Sequence, residues 1–212
     1  MNNLIITVDG PAASGKEKIS KYISKNFKLK HLDSGLLYRR LAYIFLNKRI
    51  DIDNVKQINK ILKQINKISY RNTKKIRTQQ ISIVSSKIAI YGIVRKFVNN
   101  LQYEFVRKNK NYRGFVIDGR DIGSVVFKKA KLKLYIEVNP EIRAKRRYKQ
   151  LIDSGEKSIY RTLLKEIKLR DIKDKKRKNS PLIIPKDAYI VNNDGSFRKT
   201  VKQINNILKT YI

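Results

Sequence analysis

The stretch at residues 4–18, LIITVDGPAASGKEK, constrains this chain more than any other. Leu4, Ile5, Ile6, Thr7 and Val8 form a short apolar run rich in β-branched residues, which suits a buried strand. Gly10 and Gly15 then bracket a tight loop, and Lys16 follows at once. The spacing Gly-x4-Gly-Lys therefore falls where a strand should turn into a helix, the context of a phosphate-binding loop. Glycines let backbone approach an anion closely. Successive N–H groups and the positive end of a helix beginning near Gly15 would surround phosphates, while Lys16 adds a mobile charge toward the β and γ oxygens of a nucleotide.

At 212 residues the chain is long enough for a substantial core, and a single domain is expected. It has no cysteine and one histidine, which excludes disulfides and thiolate metal sites and argues against a transition-metal centre. No apolar run approaches the length that crosses a bilayer, and no leader pattern precedes the loop, so a cytoplasmic protein without a membrane partner is expected. The net charge of +33, from 50 Lys and Arg against 17 Asp and Glu, raises the question of a nucleic-acid partner. The lysines are spread over nearly every segment together with abundant Ile and Asn, as a general compositional bias would give. No specific nucleic-acid partner is expected, although weak polyanion binding at low salt would follow.

After the loop, Ile19, Tyr22, Ile23 and Phe27 recur at helical spacing, and residues 29–32 suit a second strand. Asp33, Ser34 and Gly35 supply a turn and helix start ahead of the stripe Leu36, Leu37, Leu41, Ile44 and Phe45. Another amphipathic helix runs from Asp53, its expected cap. Residues 76–91 and 93–106 read as two helices meeting near Gly92. Strands are expected at 115–117, 132–138 and 188–191, with helices at 141–152, 158–178 and from Ser196 onward. Strands alternating with helices imply a three-layer α/β/α fold around a five-stranded parallel sheet. Ligands in such folds sit beyond the carboxyl ends of the strands, where the phosphate loop, Asp33 to Gly35 and Asp118 to Asp121 all fall.

Asp118 closes a buried-looking strand, a place from which a carboxylate can hold Mg²⁺ through water or orient its neighbours. No direct metal ligand is expected. Arg39, Arg77, Arg95, Arg120, Arg170 and Arg177 stand out in a chain that prefers lysine so heavily, because the guanidinium fork grips phosphate in a bidentate way that an ammonium cannot. As a set they suit a second anion.

GPAASGK at 10–16, LDSGLLYR at 32–39, IRTQ at 76–79, DGRDIGSVVF at 118–127 and RDIKDKKR at 170–177 together resemble bacterial cytidylate (CMP) kinase, of the nucleoside monophosphate kinases. LDSG-x-x-YR and DGRD-x-G-[ST]-VVF are the discriminating motifs, separating this family from adenylate, thymidylate and shikimate kinases. The resemblance implies one kinase domain over 1–212: a core of 1–34, 112–155 and 186–212, a monophosphate-binding region at about 35–111, and a lid at about 156–185. It also implies a monomer that transfers a phosphoryl group from ATP, with Mg²⁺, to CMP or dCMP. By matched positions Gly10, Pro11, Ala12, Ala13, Ser14, Gly15, Lys16, Glu17 and Lys18 would hold ATP. Ser34, Arg39, Arg120 and Arg177 would hold the CMP phosphate. Ser86, Arg95 and Asp121 would read cytosine, and Arg170 and Asp174 would meet the sugar. Lys16, Arg120, Arg170 and Arg177 would be the catalytic charges, since phosphoryl transfer needs two aligned anions and neutralised charge rather than a covalent nucleophile.

The chain departs from the family pattern in two places. Glu17 and Lys18 follow Lys16, where a hydroxyl residue is expected. Residues 69–75 replace a longer stranded insert, so the cover over the monophosphate is expected to be reduced and the insert shortened. The first departure, with the +33 charge, motivates an alternative: a non-catalytic basic RNA-binding protein on a decayed kinase scaffold. His31 is expected to be structural or exposed, with no proton-transfer task.

Overall fold

In the computed structural model, which describes residues 3–71 and 73–211, the chain divides into two compact units, residues 1–31 with 112–212 and residues 32–111. The first unit is built on strands β1 (Leu4–Asp9), β3 (Gly114–Gly119), β4 (Leu132–Glu137) and β5 (Ala188–Asn192). With β2 (Lys30–Asp33) they form a five-stranded sheet in the order β2-β3-β1-β4-β5. The pairings of β1 with β3, β1 with β4 and β4 with β5 are parallel, with Val8 opposite Asp118 and Leu134. Gly114 is required at the start of β3, since a Cβ there would lie 2.4 Å from the Leu4 carbonyl oxygen.

The same unit holds α1 (Lys16–Asn26), α6 (Pro140–Asp153), α7 (Tyr160–Lys176) and α8 (Phe197–Leu208); α1 packs on β1 and β3, α8 on β5, and α7 on α6. Ile6, Val8, Ile19, Ile23, Val116, Leu134, Ile136, Val191, Ile204 and Leu208 form one buried cluster. Central strands buried on both faces explain the continuous apolar runs seen in the sequence. Ser196 caps α8 by accepting from the Lys199 amide, and Asn139 caps α6 with Pro140 in the first turn. The very basic helix is shorter than expected: α7 runs Tyr160–Lys176 rather than 158–178.

The second unit is helical and has its own core. It holds α2 (Ser34–Asn47), α3 (Val55–Gln64), α4 (Gln79–Ile88) and α5 (Gly92–Lys108). Leu37, Leu41, Phe45, Ile58, Ile76, Ile88, Val94 and Val98 meet at its centre. Asn54, not Asp53, caps α3, because its side chain accepts from the Gln57 amide. Thr78 caps α4 by accepting from the Ile81 amide. That cap starts α4 three residues after the expected position, and a single 3₁₀ turn (Lys74–Ile76) precedes it. Among the described residues 69–75 contain no strand.

Phe45 is fully buried and sits among aliphatic neighbours that cannot collapse into its volume without moving helix backbones. Phe45→Ala is expected to lower the stability of the helical unit by about 3–5 kcal/mol. Urea unfolding followed by circular dichroism measures this, and a loss below about 1 kcal/mol would show that the core repacks freely.

Candidate active site

The phosphate loop leaves β1 at Asp9 and enters α1 at Lys16. Gly10 packs so closely under β4 that a Cβ would lie 2.6 Å from the Ile136 carbonyl oxygen. Ala13 has φ +57° and Gly15 φ +82°, left-handed values that reverse the chain twice within a few residues. Glycine tolerates this; alanine does not do so readily, so the surroundings must hold Ala13 in place.

What holds the loop is a set of donors on its carbonyl oxygens. Arg120 Nη1 donates to Gly10 O at 2.8 Å, and Lys16 Nζ reaches back to Pro11 O at 3.2 Å. Arg143 Nη1 donates to Ala12 O at 3.2 Å, and Asn193 Nδ2 to Ser14 O at 2.7 Å. Thr200 Oγ1 in turn donates to Asn193 Oδ1 at 2.7 Å, which fixes the amide's orientation. Carbonyls engaged in this way are committed to protein donors.

With Arg143 and Asn193, Asp9 is one of the residues in this region that the sequence reading missed. It is 1% exposed at the end of β1, and its two carboxylate oxygens accept from the amides of Ile122 and Gly123 at 2.8 and 2.7 Å. Those amides belong to a π-helical turn (Ile122–Val126) that follows Asp121 and was also unforeseen. Gly123 is the residue that fits there, since a Cβ would lie 2.7 Å from Thr7 Oγ1. Burial pushes the Asp9 carboxyl up to about 7, against the two amides; Asp121 adds to the rise and Lys16 opposes it. Its position directly before the loop glycine was the available signal.

The neighbouring strand end carries the expected second-anion residues. Arg120 Nε donates to Asp174 Oδ2 at 3.1 Å, and Arg177 Nη1 donates to Asp174 Oδ1 at 3.3 Å. Burial would push the Asp174 carboxyl up, but Arg120, Arg170 and Arg177 outweigh it and hold the group below its ordinary value. Of the residues expected at the CMP phosphate and sugar, Arg120, Arg170, Asp174 and Arg177 thus form one cluster. Asp121 is buried near Asp9.

Asp118 is 1% exposed and shares a 2.6 Å hydrogen bond with His31 Nε2. His31 is therefore a structural partner, and Asp118 lies on it. Among the described residues no group of three or more His, Cys, Asp or Glu could cage a metal.

The two unusual loop residues are occupied elsewhere. Glu17 forms an i,i+4 ion pair with Lys21 at 2.8 Å, and the Lys18 ammonium lies over the Phe197 ring at 4.1 Å from its centroid. The side chain of Lys18 thus lies against Phe197 of α8.

In the helical unit, Ser34 is buried as the first residue of α2, behind its cap Asp33, which accepts from the Leu36 amide. Arg77 Nη2 stands 4.0 Å from Asp33 Oδ2. Arg39 Nη1 donates to Ile76 O at 3.5 Å. Arg95 is 4% exposed, donates to Ala89 O at 3.1 Å and lies over the Tyr38 ring at 5.8 Å. Ser86 is half-buried on α4.

A phosphate loop on a parallel α/β sheet, followed by an arginine cluster at the next strand end, defines a phosphate-loop phosphotransferase. A family model described as cytidylate kinase matches residues 6–212. The chain is 38% identical over 208 residues to a protein of Rickettsia felis named cytidylate kinase, covering 98% of this chain and 92% of that one. A Fusobacterium nucleatum protein of the same name is 40% identical over 192 residues, with 86% of each chain covered. A crystal structure from Thermus thermophilus aligns over 100% of both chains with a TM-score of 0.56 at 15% identity, a likeness of fold alone. The chain belongs to the cytidylate kinase family.

The raised carboxyl of Asp9 carries a pH signature. A group lifted from 3.8 to about 7 stabilises the folded state fully below about pH 4, and that contribution is lost as pH rises to about 7. Wild type should therefore lose stability relative to Asp9→Asn between about pH 4 and 7, by a few kcal/mol, and run parallel to it above. Paired urea titrations at several pH values measure the difference, and a difference independent of pH would contradict the assignment.

Proposed function

We propose that this enzyme transfers the γ-phosphoryl group of ATP to the phosphate of CMP or dCMP, giving ADP and the pyrimidine nucleoside diphosphate. The observation that carries the proposal is the double engagement of Arg120. One nitrogen holds the carbonyl of Gly10 in the phosphate loop, and another holds Asp174 beside Arg177. One guanidinium thus touches both the loop expected to hold ATP and the cluster expected to hold the acceptor phosphate. Phosphoryl transfer needs this kind of alignment of two anions, with fixed positive charge between them.

The residues take complementary parts in the proposal. Residues 10–18 hold the donor, with Lys16 meeting the charge that develops on the transferring group. Ser34, Arg39, Arg120 and Arg177 hold the acceptor phosphate, Ser86, Arg95 and Asp121 read the base, and Arg170 and Asp174 meet the sugar. Asp174 also serves before substrate arrives, since an ionised carboxylate between arginines keeps those buried charges paired. Among the described residues no group of three or more His, Cys, Asp or Glu is placed to hold a metal. Mg²⁺ is accordingly proposed to arrive on ATP, where it neutralises phosphate charge, held by phosphate oxygens and water.

The match to the cytidylate kinase family over residues 6–212 does not favour the RNA-binding alternative.

A coupled assay for ADP tests the proposal across nucleoside monophosphates. CMP and dCMP should be consumed well and AMP and UMP far less; equal turnover of all would overturn the specificity. Arg39→Ala should raise KM for CMP by at least about tenfold and leave ATP affinity nearly unchanged. Arg120→Ala should weaken both substrates, since it releases Gly10 as well as Asp174. An effect of Arg120→Ala on CMP alone would show that its contact with the loop is incidental.

A further inference from the structure

Arg143 lies on α6, outside the motifs quoted above, yet it is only 2% exposed. A guanidinium is seldom buried this deeply unless each edge of its fork is engaged. Nε donates to Val138 O at 3.0 Å. Nη1 donates to Asp171 Oδ1 at 3.0 Å and to Ala12 O at 3.2 Å, and Nη2 pairs with Asp171 Oδ2. The carbonyl it holds belongs to the peptide that joins Ala12 to Ala13, the alanine with left-handed φ. A bidentate pair fixes the plane of the guanidinium, and that plane sets where the Ala12 carbonyl points.

Asp171 and Asp174 sit one helical turn apart on α7. Asp174 holds Arg120, which holds Gly10 O, and Asp171 holds Arg143, which holds Ala12 O. The loop is therefore tied at two carbonyls, through two arginines, to one face of α7.

We propose that Arg143, oriented by Asp171, is a positioning residue for the donor nucleotide: it holds the Ala12–Ala13 peptide in the phosphate-binding shape and couples α7 to the affinity of the loop for ATP. The inference rests on the reading that residues 10–18 hold ATP. Neither side chain is required to touch a nucleotide. Their influence reaches the phosphates through the backbone they fix, as the partners that orient a ligating group influence the ligand.

The test uses Arg143→Lys and Asp171→Asn in the full chain, with ATP and ADP binding by calorimetry, KM for CMP, and thermal unfolding. Each variant should bind ATP about tenfold more weakly, with KM for CMP within about twofold of wild type. The double variant should be little worse than the poorer single one, because the two groups act as a unit. Asp171→Glu should recover part of the loss. Asp171 is at the margin of the buried region, with 16% of its side chain exposed, so Asp171→Asn keeps the test open if Arg143→Lys does not fold. Unchanged ATP binding in Asp171→Asn, parallel losses for ATP and CMP, or fully additive effects would each overturn the proposal. A wild-type chain that binds no ATP would overturn the functional reading and this inference with it; ATP binding in wild type that both variants retain would overturn the inference alone.

Discussion

A phosphate loop works only if its carbonyl oxygens are kept away from the anion, and in this chain that constraint is met one carbonyl at a time. Gly10, Pro11, Ala12 and Ser14 are held by Arg120, Lys16, Arg143 and Asn193. Three of these donors carry positive charge. Two of these cations, Arg120 and Arg143, are paired with Asp174 and Asp171, so the bonds act chiefly by turning the carbonyls aside. The strand β1, the tight pack of Gly10 under β4 and the helix start at Lys16 give the loop its path, and the donors give it its shape.

Burying so many arginines needs matching acids in a chain with few of them. Seventeen acidic residues face 50 basic ones, yet Asp171 and Asp174 are both spent on buried guanidinium groups beside the loop. Most lysines, by contrast, lie on exposed positions of the helices, where their charge is hydrated and screened. The large net charge is thus a property of the surface, while the interior near the loop is locally paired. Asp9 departs from this pattern: its hydrogen-bond partners are two amides, and burial outweighs both them and the opposing charge of Lys16.

Much of the fold was legible because it depends on local signals. β-Branched runs gave the strands, the 3.6-residue stripe gave the helices, and Ser196 and the start of α2 followed from capping chemistry. Where two capping residues stood together, as at Asp53 and Asn54, only packing decided between them. The π-helical turn had no periodic pattern to show; it exists because Asp9, distant in sequence, accepts from its amides. Arg143 was hidden for the same reason. It was not among the arginines singled out in the sequence, and Asp171 became its partner only through the tertiary fold. The motifs that name the family were read directly and include two of the loop's holders, Lys16 and Arg120, whereas Arg143, Asn193 and Thr200 lie outside them on α6 and around β5–α8.

The departure at Glu17 and Lys18 has a physical place in this arrangement. The pair with Lys21 and the stacking on Phe197 settle both side chains on helix surfaces, so the loop keeps its shape without the hydroxyl. The most direct measurement is a crystal structure of the protein with Mg-ADP. The expected result has the β-phosphate on the loop amides, the carbonyls of Gly10, Ala12 and Ser14 still on Arg120, Arg143 and Asn193, and Lys18 still over Phe197. A structure in which the Ala12 carbonyl leaves Arg143, or the phosphate sits away from the loop, would contradict the view that these bonds preorganise the site.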